Sequence, residues 1–129
     1  MKRKVYLLLN HQPTEEQLED LERVYGTFEI VEPNSKIKTF WSNIDPEMSG
    51  LERDDKALEI VDDVVKKKAD SVWIQGESVM VYKVVKRLEY KNIPAFASTT
   101  KREAIEVRKE DGSIEKKSVF KHCRFVNYF

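Results

Sequence analysis

The sequence predicts an α/β fold, a Rossmann-like and mostly parallel sheet that is flanked by helices and followed by a C-terminal β-hairpin. Short apolar runs alternate with segments whose apolar residues recur at helical spacing, which indicates β-α units joined by right-handed crossovers. The first run, residues 4–9, is almost wholly apolar, as expected for a parallel strand covered on both faces. Near the end of the chain, Asp111-Gly112 separates two further strand-like runs, which is a strong hairpin signal.

The first half of the chain is predicted to contain two strands and one helix. After the first strand, Thr14 is followed three residues later by Gln17, which fits a capping box at the start of a helix. Gly26 stands where a helix usually stops. Residues 28–31 are predicted to form the second strand, and residues 34–46 an irregular stretch.

The second half alternates between helices and strands. Apolar positions from Ala57 onward repeat at helical spacing, with charges on the other side, and predict a helix that ends near Ala69. The other predicted elements are a strand at 71–75, a helix at 78–90, a strand at 93–98 and hairpin strands at 104–108 and 118–128. Residues 1–129 are therefore expected to form one domain, with about 103–129 as its hairpin extension.

Length and composition indicate one globular domain. A chain of 129 residues has room for one core, and 40% hydrophobic with 36% charged residues argues against fibrous and disordered classes. The longest uninterrupted apolar run, residues 5–9, is far too short to span a bilayer, so no membrane association is expected. The single cysteine, Cys123, cannot form an internal disulfide, which fits a cytoplasmic location.

The charge distribution limits the choice of partners. The 23 basic and 23 acidic residues balance, which argues against binding of long nucleic acids. The balance is uneven along the chain, because residues 45–63 carry eight acids and two bases, whereas residues 101–129 carry eight bases and five acids. The charge distribution therefore leaves open the binding of a small anionic ligand at one end of the molecule.

Polar side chains follow three of the predicted parallel strands, where the strands present their carboxyl ends. Ligands of open α/β sheets collect at this edge, where helix N-termini offer free N–H groups. The candidate residues are Asn10 and His11 after the first strand, Gln75, Gly76 and Ser78 after the third, and Ser98, Thr99, Thr100, Lys101 and Arg102 after the fourth. Arginine binds phosphate in a bidentate manner and hydroxyl groups orient it, so this set predicts a site for a phosphate-bearing ligand.

Each candidate also has a purely structural interpretation, which the sequence leaves open. His11 can satisfy the loop before the helix cap, whereas Gly76 can serve only a tight turn and Ser78 a helix cap. Residues 98–102 can form an ordinary turn followed by solvated charges. Trp41, in the irregular stretch, either packs its loop down or stacks on a base.

No motif for metal or cofactor chemistry is present. The sequence lacks a Gly-x-x-x-x-Gly-Lys-Ser/Thr loop, a Gly-x-Gly-x-x-Gly fingerprint and any Cys/His cluster with zinc spacing. The acids of residues 45–63 lie largely on the solvent side of a predicted helix, which does not indicate a magnesium site. A reaction without metal or cofactor is therefore expected, and His122 and Cys123 are expected to be structural.

Several segments occur in the same order as in one small group of proteins. They are residues 7–11 with Thr14 and Gln17, 41–46, 74–77, 93–94, 98–104, 111–113 and 120–122. Together they span nearly the whole chain. In these segments the sequence resembles the compact Csx-type CRISPR-associated proteins that are encoded beside type III interference systems.

The resemblance implies a ring nuclease. Such proteins bind the cyclic oligoadenylate messenger of the type III complex and linearise it, which ends the signal. The expected ligand is cyclic tetra-adenylate, in which a ribose 2′-hydroxyl can attack the adjacent phosphodiester and leave a 2′,3′-cyclic phosphate without a metal. One departure is Glu77, where aspartate is expected in members of the group.

The resemblance to ring nucleases implies a separate role in cleavage for each group of candidate residues. Arg102 and Lys101 stabilise the reacting phosphate, Ser98, Thr99 and Thr100 orient it, Asn10 and Gln75 position ribose or base edges, and His11 is the general acid or base. A homodimer with one ring on its twofold axis is expected, because the ring's symmetry is compatible with that axis.

Two other functions remain open from the sequence. The chain can be a binding module that captures the same ligand without cutting it, because cleavage driven by orientation leaves no nucleophile signature. It can also be a structural or interaction subunit whose polar strand ends are ordinary loops.

Overall fold

The computed structural model describes residues 2–129, which form five strands and four helices around one sheet. In chain order these are β1 (Arg3–Leu8), α1 (Glu15–Tyr25), β2 (Phe28–Val31), α2 (Ser35–Ser42), α3 (Gly50–Lys66), β3 (Ser71–Ile74), α4 (Ser78–Tyr90), β4 (Ala95–Arg108) and β5 (Ile114–Asn127). The predicted fold class is confirmed: a mostly parallel sheet is flanked by helices and ends in an antiparallel β4–β5 hairpin.

The strand order is β2-β1-β3-β4-β5, and β1 to β4 run parallel to one another. Leu8 at the end of β1 pairs with Ile74 at the end of β3, so both strands reach the carboxyl edge of the sheet together. Strand β5 runs antiparallel to β4 and is one of the two edge strands of the sheet, the other being β2.

Apolar side chains cover both faces of the sheet. On one face, Leu21 of α1 packs with Trp73 of β3 in a fully buried cluster. On the other face, Ile37 of α2, Ile60 of α3 and Val84 of α4 belong to a larger cluster. Helix α1 therefore covers one face, and α2 to α4 cover the other.

The predicted limits of α1 are confirmed by its caps. The Thr14 hydroxyl accepts a hydrogen bond from the Gln17 N–H at 3.2 Å, and the Gln17 side-chain oxygen accepts one from the Thr14 N–H at 2.9 Å. Gly26 ends the helix with φ of 76°, in the left-handed region that favours glycine.

The prediction of an irregular stretch at residues 34–46 is wrong. Asn34 caps α2 by accepting a hydrogen bond from the Ile37 N–H at 2.9 Å, and Ile37 and Trp41 bury one side of this short helix. Helix α3 begins at Gly50, where Ser49 accepts a hydrogen bond from the Glu52 N–H at 3.1 Å, and it ends at Lys66, close to the predicted end near Ala69.

A buried hydrogen bond ties α3 to the centre of the sheet. The hydroxyl of Tyr6, which is fully buried, donates to the Asp63 carboxylate at 2.7 Å. Burial raises the pKa of the Tyr6 hydroxyl, and the neighbouring Asp63 carboxylate raises it further. Burial also acts to raise the pKa of Asp63, but hydrogen bonds from Tyr6, the Asn34 N–H and Lys67 outweigh it and lower that pKa.

The prediction of two separate strands at 93–98 and 104–108 is wrong, because Ala95–Arg108 is one continuous strand. Pairing of β4 with β3 ends at Phe96, whereas pairing with β5 continues to the end of β4. We call residues 99–124, which extend beyond the parallel sheet as a two-stranded ribbon, the arm. A β-bulge at Thr99/Thr100 marks its base.

The predicted hairpin turn is confirmed at the tip of the arm. Asp111 accepts hydrogen bonds from the backbone and hydroxyl of Ser113, and Gly112 adopts φ of 87°. Cys123 is the extra, unpaired residue of the bulge at the base of the arm and is exposed, so it is not the small buried side chain that its residue type suggests. None of the helices within residues 2–129 is long and apolar enough to cross a membrane.

Candidate functional site

The strand order places a topological switch point between β1 and β3. The chain leaves β1 through α1 on one face, and it leaves β3 through α4 on the opposite face. The loops after these two strands, residues 9–14 and 75–77, therefore diverge at the carboxyl edge. Such a divergence opens a crevice in which open α/β sheets bind their ligands.

Backbone and indole contacts fix the position of the loop after β3. The Gln75 N–H donates to the Leu8 carbonyl at 3.1 Å, which extends the β1–β3 pairing by one bond. The Trp41 indole N–H donates to the Gln75 carbonyl at 3.0 Å. Trp41 is only 3% exposed, so the structure supports its packing interpretation, and its ring has no free face for a base.

Gly76 is required by the packing of Trp41. A Cβ atom at this position would lie 2.8 Å from Trp41 Nε1, closer than real Cβ atoms come to other heavy atoms. The glycine thus lets the loop after β3 run directly over the indole ring.

Replacing Gly76 with alanine is expected to lower the free energy of unfolding by about 1–3 kcal/mol, because the indole or the loop must move. Thermal denaturation measures the loss. Gly50→Ala is the matched control, because nothing lies within 4 Å of a Cβ there and alanine suits a helix. Equal melting temperatures for Gly76→Ala and the wild type would contradict the steric role.

The first cavity, here named the His11 cavity, opens at the carboxyl ends of β1 and β2. It has a volume of about 290 Å³ and is lined by Asn10, His11, Gln12, Glu32, Lys38, Trp41 and neighbouring residues. His11 and Asn10 are both exposed there. His11 Nδ1 lies 3.1 Å from the Gln12 carbonyl oxygen, so a proton on Nδ1 leaves Nε2 free as a base. Lys38 pairs with Glu32 at 3.3 Å across the mouth.

The second cavity, here named the Tyr82 cavity, lies beside α4, after the carboxyl end of β3. It has a volume of about 670 Å³, and its lining includes Gln75, Gly76, Ser78, Tyr82 and Tyr128. Three predicted ligand residues, Gln75, Gly76 and Ser78, are thus brought together beside two tyrosines that the sequence did not single out.

Gln75 uses its side chain inside the protein. Its oxygen accepts hydrogen bonds from the Trp73 indole at 2.8 Å and from the Ser98 N–H at 2.9 Å. Its amide nitrogen donates to the Ser98 carbonyl at 3.2 Å. The amide therefore joins β3 to β4 beyond their backbone pairing, and the predicted role of Gln75 in positioning a ligand stays a prediction.

Ser98 belongs to a buried chain of hydrogen bonds rather than to a ligand site. Its hydroxyl lies 2.5 Å from His122 Nδ1 and accepts a hydrogen bond from the Gln17 amide at 3.2 Å. On the far side of the imidazole, His122 Nε2 lies 2.7 Å from the Asp20 carboxylate. Ser98 is 5% exposed and its hydroxyl is engaged inside the protein, whereas its contact with a phosphate stays a prediction.

The other predicted phosphate-binding residues lie on the arm. Thr99, Thr100, Lys101 and Arg102 are exposed within β4, and none of them lines the two cavities. Arg102 Nε and Nη2 donate to the Ser118 hydroxyl at 3.1 and 3.0 Å. The Thr99 hydroxyl donates to the Arg124 carbonyl at 3.0 Å. The expected set therefore separates into two cavities and an arm.

Glu77 closes the N-terminus of α4. Its carboxylate accepts hydrogen bonds from the Val79 and Met80 N–H groups at 3.1 and 2.9 Å and pairs with Arg53 at 3.0 Å. Burial acts to raise the pKa of Glu77, but these two N–H groups and Arg53 outweigh it and lower that pKa. Ser78 is therefore not the helix cap, and a phosphate at this helix end would meet a carboxylate.

Sequence reasoning missed Arg53. Arg53 is 8% exposed, and its guanidinium also donates to the Met48 carbonyl at 3.1 Å. No local pattern identifies it, because its partner Glu77 lies 24 positions away. Within residues 2–129, no group of three or more His, Cys, Asp or Glu side chains lies close enough to hold a metal ion.

Comparison with known proteins shows a family but no solved structure. No solved structure matched the chain. The chain is 34% identical over 128 residues to a Methanocaldococcus jannaschii protein described as "Uncharacterized protein MJ1673". The alignment covers 97% of this chain and 96% of that protein. The model of the "Uncharacterized protein MJ1673 family" matches residues 3–126, a range that includes both cavities' strand-end loops and the arm. The chain belongs to the MJ1673 family.

Proposed function

We propose that this protein is a ring nuclease that binds cyclic tetra-adenylate and linearises it, which switches off type III CRISPR signalling. The observation that carries the proposal is the His11 cavity at the carboxyl ends of β1 and β2, next to the β1–β3 switch point, where an exposed imidazole with a free nitrogen lines an open cavity. The resemblance to Csx-type proteins supplies the ligand, and two of the segments that carry it, residues 7–11 and 41–46, contribute to the lining of this cavity.

The reaction requires the protein to orient the 2′-hydroxyl against the adjacent phosphate and to transfer a proton. The ribose 2′-oxygen forms a bond to the adjacent phosphorus, and the bond from phosphorus to the 5′-oxygen breaks. His11 takes the proton from the 2′-hydroxyl or returns one to the 5′-oxygen. The Asn10 amide, exposed beside it, hydrogen-bonds the ribose or phosphate.

The arm supplies positive charge in the proposed assembly. Residues 101–129 carry eight bases and five acids, and Lys101 and Arg102 lie near the base of the arm. We propose a homodimer in which two copies of these side chains surround one ring on the twofold axis and stabilise its phosphates. Gln75 and Ser98 hold the strands from which these groups project, in a cytoplasmic protein that needs no cofactor.

A module that binds the ring without cutting it is the second candidate. It is favoured by the burial of Ser98 and by the absence of Lys101 and Arg102 from the His11 cavity of the same chain. A single-turnover assay with enzyme in excess separates the two. Bound but intact cyclic tetra-adenylate after prolonged incubation would establish the binding module.

Cleavage is expected to continue at an unchanged rate in EDTA, because the attacking 2′-hydroxyl belongs to the ligand itself. The measurement compares single-turnover rates with EDTA, with added magnesium and with added manganese. Loss of cleavage on chelation, restored by either metal, would overturn the metal-independent mechanism.

A further inference from the structure

We infer that the Tyr82 cavity binds one adenine base of the ligand. The inference rests on the proposed function and assigns base recognition to residues of α4 and the C-terminal segment. The cavity's volume of about 670 Å³ lies within the range of small-molecule sites. It begins at Gly76 and Ser78, on the same sheet edge as the His11 cavity, and Gly76 packs against Trp41, which lines that cavity.

Two tyrosines give the cavity an aromatic lining. Tyr82 projects from α4 with 64% of its surface exposed, although it is large and partly apolar. Tyr128 is fixed at the strand ends, because its hydroxyl donates to the Ile74 carbonyl at 2.7 Å. Burial raises the pKa of Tyr128, which keeps it a neutral donor. Exposed aromatic rings of this kind stack on nucleobases in proteins that bind single strands.

Two charged side chains line the cavity beside the tyrosine rings, and their charges suit the phosphate and the base of a nucleotide. Lys86 Nζ lies 5.8 Å from the centroid of the Tyr82 ring, and Lys86 lines the cavity. It can pair with a phosphate beside the stacked base. Glu89 also lines the cavity, and its carboxylate can accept a hydrogen bond from the adenine amino group. The apolar walls, Val81 and Val85, fit the body of the base.

Binding titrations of Tyr82→Ala test this assignment with two ligands, cyclic tetra-adenylate and AMP. We expect Tyr82→Ala to weaken both by about fivefold or more, the lower end of the cost of losing one stacking ring. Tyr82→Phe keeps the ring and should bind within about twofold of the wild type. Tyr90→Ala is the matched control, because Tyr90 lies on the same helix, is 89% exposed and is outside this cavity.

The outcomes separate the base site from the proposed function. Unchanged binding of both ligands by Tyr82→Ala would overturn the base site and leave the function standing. Tyr82-dependent binding of AMP without binding of cyclic tetra-adenylate would retain the base site and overturn the function. Failure of the wild type to bind either ligand would overturn both.

Two further controls address other occupants of the cavity. Ribose 5-phosphate lacks the base and is expected not to compete with AMP; equal competition would overturn base recognition. Light scattering of Tyr82→Ala should give the same mass as the wild type. A dimer lost in this variant, with AMP binding intact, would show that a second copy covers the cavity and would overturn the assignment.

Discussion

Replacing His11 with alanine is expected to slow cleavage of cyclic tetra-adenylate by about 10²–10⁴-fold, the usual contribution of a general acid or base. The imidazole is exposed in the His11 cavity, and its Nδ1 contact with the Gln12 carbonyl leaves Nε2 free to accept the proton of the 2′-hydroxyl. Because a general acid or base stabilises the transition state more than the ground state, the dissociation constant should change little.

Single-turnover rates and binding titrations on the same variant measure these two quantities separately. Gln12→Ala is the matched control, because it lies in the same exposed loop and leaves the imidazole in place. A rate loss below about tenfold in His11→Ala would instead favour the loop-structural interpretation of this histidine.

Replacing His122 with alanine is expected to lower the free energy of unfolding by about 2–5 kcal/mol, as for the loss of other large buried side chains. Its side chain is 4% exposed, packs 4.6 Å from the Phe125 ring centroid and links the Ser98 hydroxyl to the Asp20 carboxylate. The substitution removes the ring and leaves the Ser98 hydroxyl without its imidazole partner, which adds to the cost.

The contribution of Asp20 to stability should depend on pH. The hydrogen bond from His122, followed by the pairing with Arg23, lowers the pKa of Asp20 below its ordinary value of 3.8. A carboxyl whose folded pKa is lowered stabilises the protein above its unfolded pKa, and that contribution disappears as the pH falls through the folded value. The stability difference between the wild type and Asp20→Asn should therefore be largest near neutral pH and shrink below pH 3.8.

Urea denaturation at several pH values measures both effects. Lys121→Ala is the control on the same strand, because Lys121 is 60% exposed and its pairing with Glu103 at 3.8 Å contributes little. A stability loss for His122→Ala no larger than that of Lys121→Ala would contradict a structural role for the buried chain.

Local signals predicted much of the fold. The Thr14–Gln17 capping box, the Gly26 stop and the Asp111-Gly112 turn each depend on residues within a few positions of one another, and the structure confirms all three. Helix α4 begins and ends at the predicted residues, because its apolar positions repeat over three turns.

The errors arise where tertiary contacts decide the structure. Helix α2 has only eight residues, too few for a clear period, and it is stabilised by burial of Trp41 against the β3 loop. Strand β4 continues through polar residues 98–102 because β5 pairs with them, an interaction that the local sequence does not reveal. Whether a segment forms a strand depends on such pairing more than on the intrinsic preference of its residues.

The candidate site was predictable only where parallel topology alone brings residues together. Asn10 and Gly76 follow strands that end at the same edge, so their proximity to the switch point could be inferred. The internal roles of Gln75 and Ser98 could not, because the partners of their side chains lie up to 81 positions away. The sequence pattern at a strand end does not distinguish a polar side chain that binds a ligand from one that joins two strands.

The most direct test is incubation of the wild-type protein with cyclic tetra-adenylate in EDTA, followed by chromatography and mass spectrometry of the products. Attack by the 2′-hydroxyl opens the ring without adding water, so the expected first product is linear, has the mass of the ring and ends in a 2′,3′-cyclic phosphate. A ring that stays intact with the protein in excess, or a first product that has gained water, would contradict the proposed ring nuclease mechanism.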